Sequence, residues 1–190
     1  ATLNDLKNLT SLSIYADGVD LKDLKTVLVQ LESLTISSDD SAEQIGLSVV
    51  SGLTKLKSIS LNVYGGENPS PIDLGKLDKL SYVDISGNVS ELTLPENGEN
   101  LSTVWFKQYS NTGNKKLQSA EIINLKAAVN LTSLGLQGAD VADFSAISTL
   151  TELGYLWLSQ CNIKDTTGIG NLTKLYALYI SNTENLQTID

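Results

Sequence analysis

Residues 150–158, Leu150-Thr-Glu-Leu153-Gly-Tyr-Leu156-Trp-Leu158, and residues 172–180, Leu172-Thr-Lys-Leu175-Tyr-Ala-Leu178-Tyr-Ile180, carry one apolar pattern twice, 22 residues apart. Moving outward, the same LxxLxxLxL spacing recurs at Leu131-Leu134-Leu136, Leu77-Leu80-Val83-Ile85, Leu53-Leu56-Ile59-Leu61, Leu28-Leu31-Leu34-Ile36 and Leu6-Leu9-Leu12-Ile14. A weaker copy is Leu101-Val104-Phe106. With the third apolar position as marker, the copies fall at 12, 34, 59, 83, 104, 134, 156 and 178, in steps of 22, 25, 24, 21, 30, 22 and 22. Periods of this size mark a repeat architecture, which decides the fold before any local reading.

Within each LxL the two apolar residues share one face of a short strand and their neighbours share the other. A unit of about 22 residues cannot bury its own apolar face, so units stack into one core with a parallel sheet along one side. The predicted architecture is one α/β solenoid domain over residues 1–190, of about eight repeats, with mixed helical and irregular convex returns. Ser41-x-x-Gln44 forms a capping box that opens a helix over about 41–51. Residues 20–29 and 119–129 also read as helical from their i, i+3, i+4 apolar spacing. The returns near 66–76 and 90–98 hold Pro69, Pro71 and Pro95 with glycines and read as irregular. Residues 109–116, Tyr-Ser-Asn-Thr-Gly-Asn-Lys-Lys, read as a protruding polar loop. Both ends look cut: either degenerate end units serve as caps, or this is part of a longer protein.

The pattern resembles the leucine-rich-repeat family over nearly the whole chain. The units Leu134-x-Leu136-x-x-Ala139-x-Val141-x-Asp143 and Leu156-x-Leu158-x-x-Cys161-x-Ile163-x-Asp165 are most similar to the 22-residue repeat of bacterial internalins. That resemblance implies a right-handed solenoid with a concave parallel sheet. The chain departs from the family at the position usually held by Asn, except at Asn88. Here it reads Asp17, Asp39, Tyr64, Asn88, Tyr109, Ala139, Cys161 and Thr183.

Composition removes whole classes of function. The 190 residues carry 13 Lys+Arg against 22 Asp+Glu, a net charge of -9. Such a chain has no general electrostatic footprint for nucleic acid or anionic membranes. It contains no His and one Cys. This removes Ser-His and Cys-His nucleophile systems, the commonest zinc ligand and any internal disulfide. No apolar run approaches the ~18 residues of a membrane span. No nucleotide, metalloprotease or EF-hand motif is present, so the sequence predicts no cofactor, no metal and no enzyme.

The remaining candidates have structural readings. Asp39-Asp40 precedes the Ser41 helix start, where negative charge is favoured. Asp143 and Asp165 hold equivalent positions and read as caps of the return turn. Cys161 reads as a small buried residue rather than a reactive thiol. Sequons stand at Asn8, Asn88, Asn100, Asn130 and Asn171, and Asn-Leu-Thr follows from the repeat consensus itself.

The concave face carries the functional signal. The column before the marker reads Ser11, Ser33, Ser58, Tyr82, Thr103, Ser133, Tyr155, Ala177. The column after the marker reads Ser13, Thr35, Ser60, Asp84, Trp105, Gly135, Trp157, Tyr179. Two residues further on stand Tyr15, Ser37, Asn62, Ser86, Lys107, Gln137, Ser159 and Ser181. Five of the 16 positions in the first two columns are aromatic, where composition alone gives about one, and all five lie in the last five repeats. Aromatics suit strands anyway, but the early strands need propensity equally and hold Ser and Thr.

The predicted ligand-binding set is Tyr82, Asp84, Trp105, Lys107, Gly135, Gln137, Tyr155, Trp157 and Tyr179. Trp105 and Trp157 stand two strands apart, roughly 10 Å, with Gly135 between them. This predicts a slot with an exposed backbone floor and an indole on either side. The competing arrangement has the indoles leaning together over Gly135. The predicted function is a non-enzymatic module recognising another protein. The internalin-like resemblance implies bacterial surface display, adhesion and host-protein binding. A glycan-binding surface module and a cytoplasmic scaffold are the alternatives.

Overall fold

A computed structural model describes residues 5–24, 28–109, 119–183 and 185–189. Each of the eight markers lies on a strand: β1 Ser11–Tyr15, β2 Ser33–Ser38, β3 Ser58–Val63, β5 Tyr82–Gly87, β7 Thr103–Gln108, β9 Ser133–Gln137, β11 Tyr155–Ser159 and β12 Ala177–Ser181. They form one open parallel sheet in the order β1-β2-β3-β5-β7-β9-β11-β12. Registry follows the repeat, with Leu12 beside Leu34, Leu34 beside Ile59, and so on to Leu156 beside Leu178.

The LxxL that precedes six of the strands, replaced by Gly98–Leu101 before β7 and Ala128–Leu131 before β9, forms one recurring turn. Its fourth residue donates its amide to the carbonyl of the first, as in Leu9 to Leu6, Leu31 to Leu28, Leu80 to Leu77 and Leu175 to Leu172. Polar residues of the turn then tie each unit to the one before it. Asn100 Nδ2 donates to the Asp78 carbonyl at 2.7 Å and Asn130 Nδ2 to the Glu99 carbonyl at 2.9 Å. The hydroxyls of Ser81, Ser102 and Thr132 donate to the Lys57, Ser81 and Ser102 carbonyls. The sequons at 100 and 130 are therefore inter-repeat fasteners.

The returns correct the sequence reading. Residues 66–76 and 90–98 are not irregular throughout, and 119–129 is not one helix. They contribute β4 Ser70–Asp73, β6 Val89–Thr93 and β8 Ala120–Ile123, which join β10 Ala139–Asp140 in a second parallel sheet ordered β10-β8-β6-β4. Gly87, at φ 152°, turns β5 into β6, and a side chain there would overlap the Val63 carbonyl. Over 119–129 only Leu125–Ala127 is helical, as one 3-10 turn behind Asn124 at φ 65°. The Ser41 capping box is present, Ser41 N–H to Gln44 Oε1 at 2.9 Å and Gln44 N–H to Ser41 Oγ at 3.2 Å. Its helix is short, Ala42–Ile45, because Gly46 leaves it in the left-handed region before a 3-10 stretch Leu47–Gly52. Of 20–29, Leu21–Leu24 is 3-10 and 25–27 lie outside the described residues, as do 110–116 of the predicted loop.

The core is one continuous column between the sheets. Both strand apolar residues are fully buried in the six inner repeats, from Leu34 and Ile36 to Leu156 and Leu158. The two outer repeats differ from the expectation of burial. Leu12 and Ile14 are half-buried, and Leu178 is 40% exposed, because each has a neighbouring unit on one side only.

Candidate functional site

Alternation along the strands puts the predicted columns on the outer, concave face. The first and second columns are half-buried to exposed almost throughout, and Gly135 is buried. The third column is only partly a surface, because Ser86 and Ser159 are buried near the strand ends. Of the 24 positions in the three columns, only Asp84 and Lys107 are charged, so the face is an uncharged floor with aromatics at one end.

The predicted slot is closed. Trp105 does not stand beside Gly135 but lies over it: a β-carbon at 135 would overlap the indole at Cε3 and Cζ3. The absent side chain gives room for the ring, not a floor for a ligand. Trp105 leans towards β11, with ring centroids 6.0 Å from Trp157 at 42° and 5.8 Å from Tyr155 at 48°. Tyr155 in turn meets Tyr179 at 5.7 Å and 36°. Such tilted contacts fall in the favourable 4.5–7 Å range for aromatic pairs. Four rings thus form one mosaic over β7, β9, β11 and β12.

Polar groups ring the mosaic. Lys107 Nζ lies 6.0 Å from the Trp105 ring centroid, at the limit of a cation–π contact. Gln137 Nε2 donates to Gln160 Oε1 at 3.2 Å, which fixes that edge. Tyr82 and Asp84 stand on the neighbouring strand β5, with Asp84 in register beside Trp105, and the Tyr82 hydroxyl faces Asp84 Oδ2 at 3.4 Å. Burial, then the Asp84 carboxylate, pushes the Tyr82 phenol upward. All nine predicted residues share one sheet, and Trp105, Lys107, Gly135, Tyr155, Trp157 and Tyr179 form one contact chain.

Two features escaped the sequence columns. Tyr176 is 81% exposed and its ring lies against Gly154, where a β-carbon would come within 2.7 Å of Cε1. It stands one residue before the first column; the signal for it was the glycine at the same place one repeat earlier. Tyr64 and Tyr109 meet edge to face at 5.5 Å and 75° at the far end of the strands. The Tyr64 phenol is raised, first by burial and then by Tyr109, Asp84 and Asp39.

The carboxylates and the thiol are structural. Asp143 Oδ1 accepts the Ser145 amide at 2.9 Å, and Asp165 Oδ1 accepts the Thr167 amide at 3.0 Å. Those backbone bonds lower both carboxyls. Asp40 corrects the helix reading: its Oδ2 accepts from the Gly18 amide and the Ser38 hydroxyl, fastening one repeat to the previous turn. Cys161 is buried, bonds the Leu136 and Ser159 carbonyls at 3.4 Å, and its thiol is raised by burial. Among the described residues, no three His, Cys, Asp or Glu are grouped to hold a metal ion.

A concave parallel sheet of LxL strands, joined by LxxL turns and stacked on one leucine column, is a leucine-rich-repeat solenoid. Among solved structures, the chain is similar to an internalin, InlF, from Listeria monocytogenes, with 22% identity and a TM-score of 0.68 over 98% of this chain. The chain spans 56% of that protein. No protein-family model and no curated relative matches the sequence. Among the described residues no helix is long and apolar enough to cross a membrane.

Proposed function

We propose that the chain is a non-enzymatic recognition module that binds another protein through the aromatic end of its concave face. One observation carries this reading: four aromatic rings in mutual contact, part-exposed, on a sheet face whose other positions are mostly hydroxyl-bearing. Aromatic clusters of this kind form the energetic centres of protein interfaces. Tyr, Trp and Ser are also the side chains that dominate antibody paratopes, where rigid rings give contact area at small entropic cost. Lys107, Gln137 and the serines supply a polar rim.

The internalin likeness supplies the scaffold rather than the ligand. Extended to function, it supports the reading that this module acts at a bacterial cell surface, in adhesion to a host protein. A glycan is the second reading, favoured by ring faces bordered by amide and hydroxyl groups.

Selecting a displayed-peptide library on this chain, in parallel with a glycan array, separates the two ligand classes. Binders lost in both Trp105→Ala and Trp157→Ala support the concave aromatic site. Binders that tolerate both substitutions place recognition elsewhere.

A further inference from the structure

Lys107 is the one cation in the three concave columns, on a chain of net charge -9. It stands at the edge of the mosaic, half-buried, with Nζ 6.0 Å from the Trp105 ring centroid. Three other lysines each meet a side chain of the previous repeat: Lys57 pairs with Glu32, Lys174 with Glu152, and Lys55 donates to Gln30. Lys107 is placed differently. In register beside it stand Ser86 on β5 and Gln137 on β9, and Gln137 donates its amide to Gln160. The carboxylate on the neighbouring strand, Asp84, lies in register with Trp105 and faces the Tyr82 hydroxyl. Among the described residues, no ion pair or hydrogen bond holds the Lys107 ammonium.

A partner that covers Trp105 also covers Lys107, because ring and ammonium are 6.0 Å apart. An ammonium taken out of water without a partner is costly, and a paired carboxylate offsets that cost. The concave face leaves this cation unpaired, so the covering segment supplies the acid. The spacing follows from the same geometry. In an extended segment, residues two apart share one face and lie about 6.7 Å from each other. An anchor seated on the indoles and a carboxylate seated on Lys107 therefore belong to positions i and i+2 of one segment. The rings tilt by 36–48° to one another, which presents ridges to side chains rather than one flat face to a sugar.

We infer that the mosaic selects a protein segment with an apolar or aromatic anchor and an acidic residue two positions away, and that Lys107 reads the acid. This rests on the reading of the mosaic as a protein-binding surface and adds the charge and spacing of its partner. The net negative charge of the chain opposes an acidic segment at long range. The Lys107 contact therefore acts after docking, by slowing dissociation.

The test selects a displayed library of random peptides on two baits, the unmodified chain and Lys107→Glu, discarding binders that Trp157→Ala retains. The unmodified chain is expected to enrich Asp or Glu two positions from an aromatic or leucine anchor. On Lys107→Glu the same position is expected to turn to Lys or Arg. One acidic peptide from the first selection is then compared with a copy whose acid is replaced by the amide. The copy is expected to bind the unmodified chain about tenfold more weakly, mainly by faster dissociation. On Lys107→Gln the two peptides are expected to differ by less than about twofold. The same charge preference on both baits overturns the inference and leaves the ring site standing. So does an amide copy bound as tightly as the acid, or Lys107-dependent binding confined to acidic glycans. Binders of the unmodified chain that Trp105→Ala and Trp157→Ala both retain remove the ring site itself, and the inference with it.

Discussion

The indole of Trp105 lies across Gly135, in the space a side chain would fill. The pair explains why an aromatic-rich end of the sheet contains a glycine: the large ring needs the small residue in the next strand. Gly135→Ala therefore forces the ring away, at a cost of about 1–3 kcal/mol by overpacking. In a Trp105→Ala background the same change is expected to be nearly neutral. Urea denaturation of the four proteins in this cycle checks it; equal costs in both backgrounds would contradict the contact.

The core column sets a gradient of stability from the centre outward. Leu156, fully buried between two units, is expected to lose about 2–5 kcal/mol on change to Ala. Leu178 has lost much of that burial already, so Leu178→Ala is expected to lose less than half as much. Chemical denaturation of the two variants measures the ratio.

The second sheet carries a strain of charge. Glu91 lies in register with Glu121, and Glu121 with Asp140, so three carboxylates stand in line across adjacent strands. Like charges directly opposite are destabilising. Glu121→Gln is expected to stabilise the chain by about 0.2–1 kcal/mol. Screening shortens the reach of such charges, so the gain should shrink in 1 M salt. Thermal unfolding at both ionic strengths measures it.

Acid should loosen the returns. Hydrogen bonds from Ser145 and Thr167 hold the carboxyls of Asp143 and Asp165 below their ordinary range. A lowered native pKa contributes stability that is fully present above the unfolded value, near pH 4, and is lost as pH falls through the native one. The midpoint of unfolding should therefore decline as the pH drops below about 4. In the Asp143→Asn/Asp165→Asn variant that fall should be smaller. An unchanged pH profile in the variant would remove these two turns as its source.

The strands and the buried face were readable because LxL repeats with a period that only stacked units satisfy. The second sheet was not. Its strands are two to five residues long, and Val89-Ser-Glu-Leu92-Thr buries positions three apart, which breaks strand alternation. Pro71 argued against a strand, yet β4 is an edge strand, where proline is tolerated. The apolar spacing of 119–129 imitated a helix because periodicity cannot see Asn124 at φ 65°. At the site, the columns located the aromatics but not their tilt. Whether two indoles flank a glycine or cover it depends on rotamers, and the covered form removes more apolar surface from water. Tyr176 was missed because it precedes the strand Ala177–Ser181.

The claim that the aromatic mosaic is the recognition surface is tested most directly by titrating a peptide selected on the unmodified chain against the Trp157→Ala variant. Trp157 touches Trp105 and stands next to Tyr179 in register, while Ser13 lies at the other end of the same sheet face. At least a tenfold loss of affinity, about 1.4 kcal/mol, is expected for Trp157→Ala, with Ser13→Ala unchanged and both variants folded. Equal affinity for the unmodified chain and Trp157→Ala would contradict it.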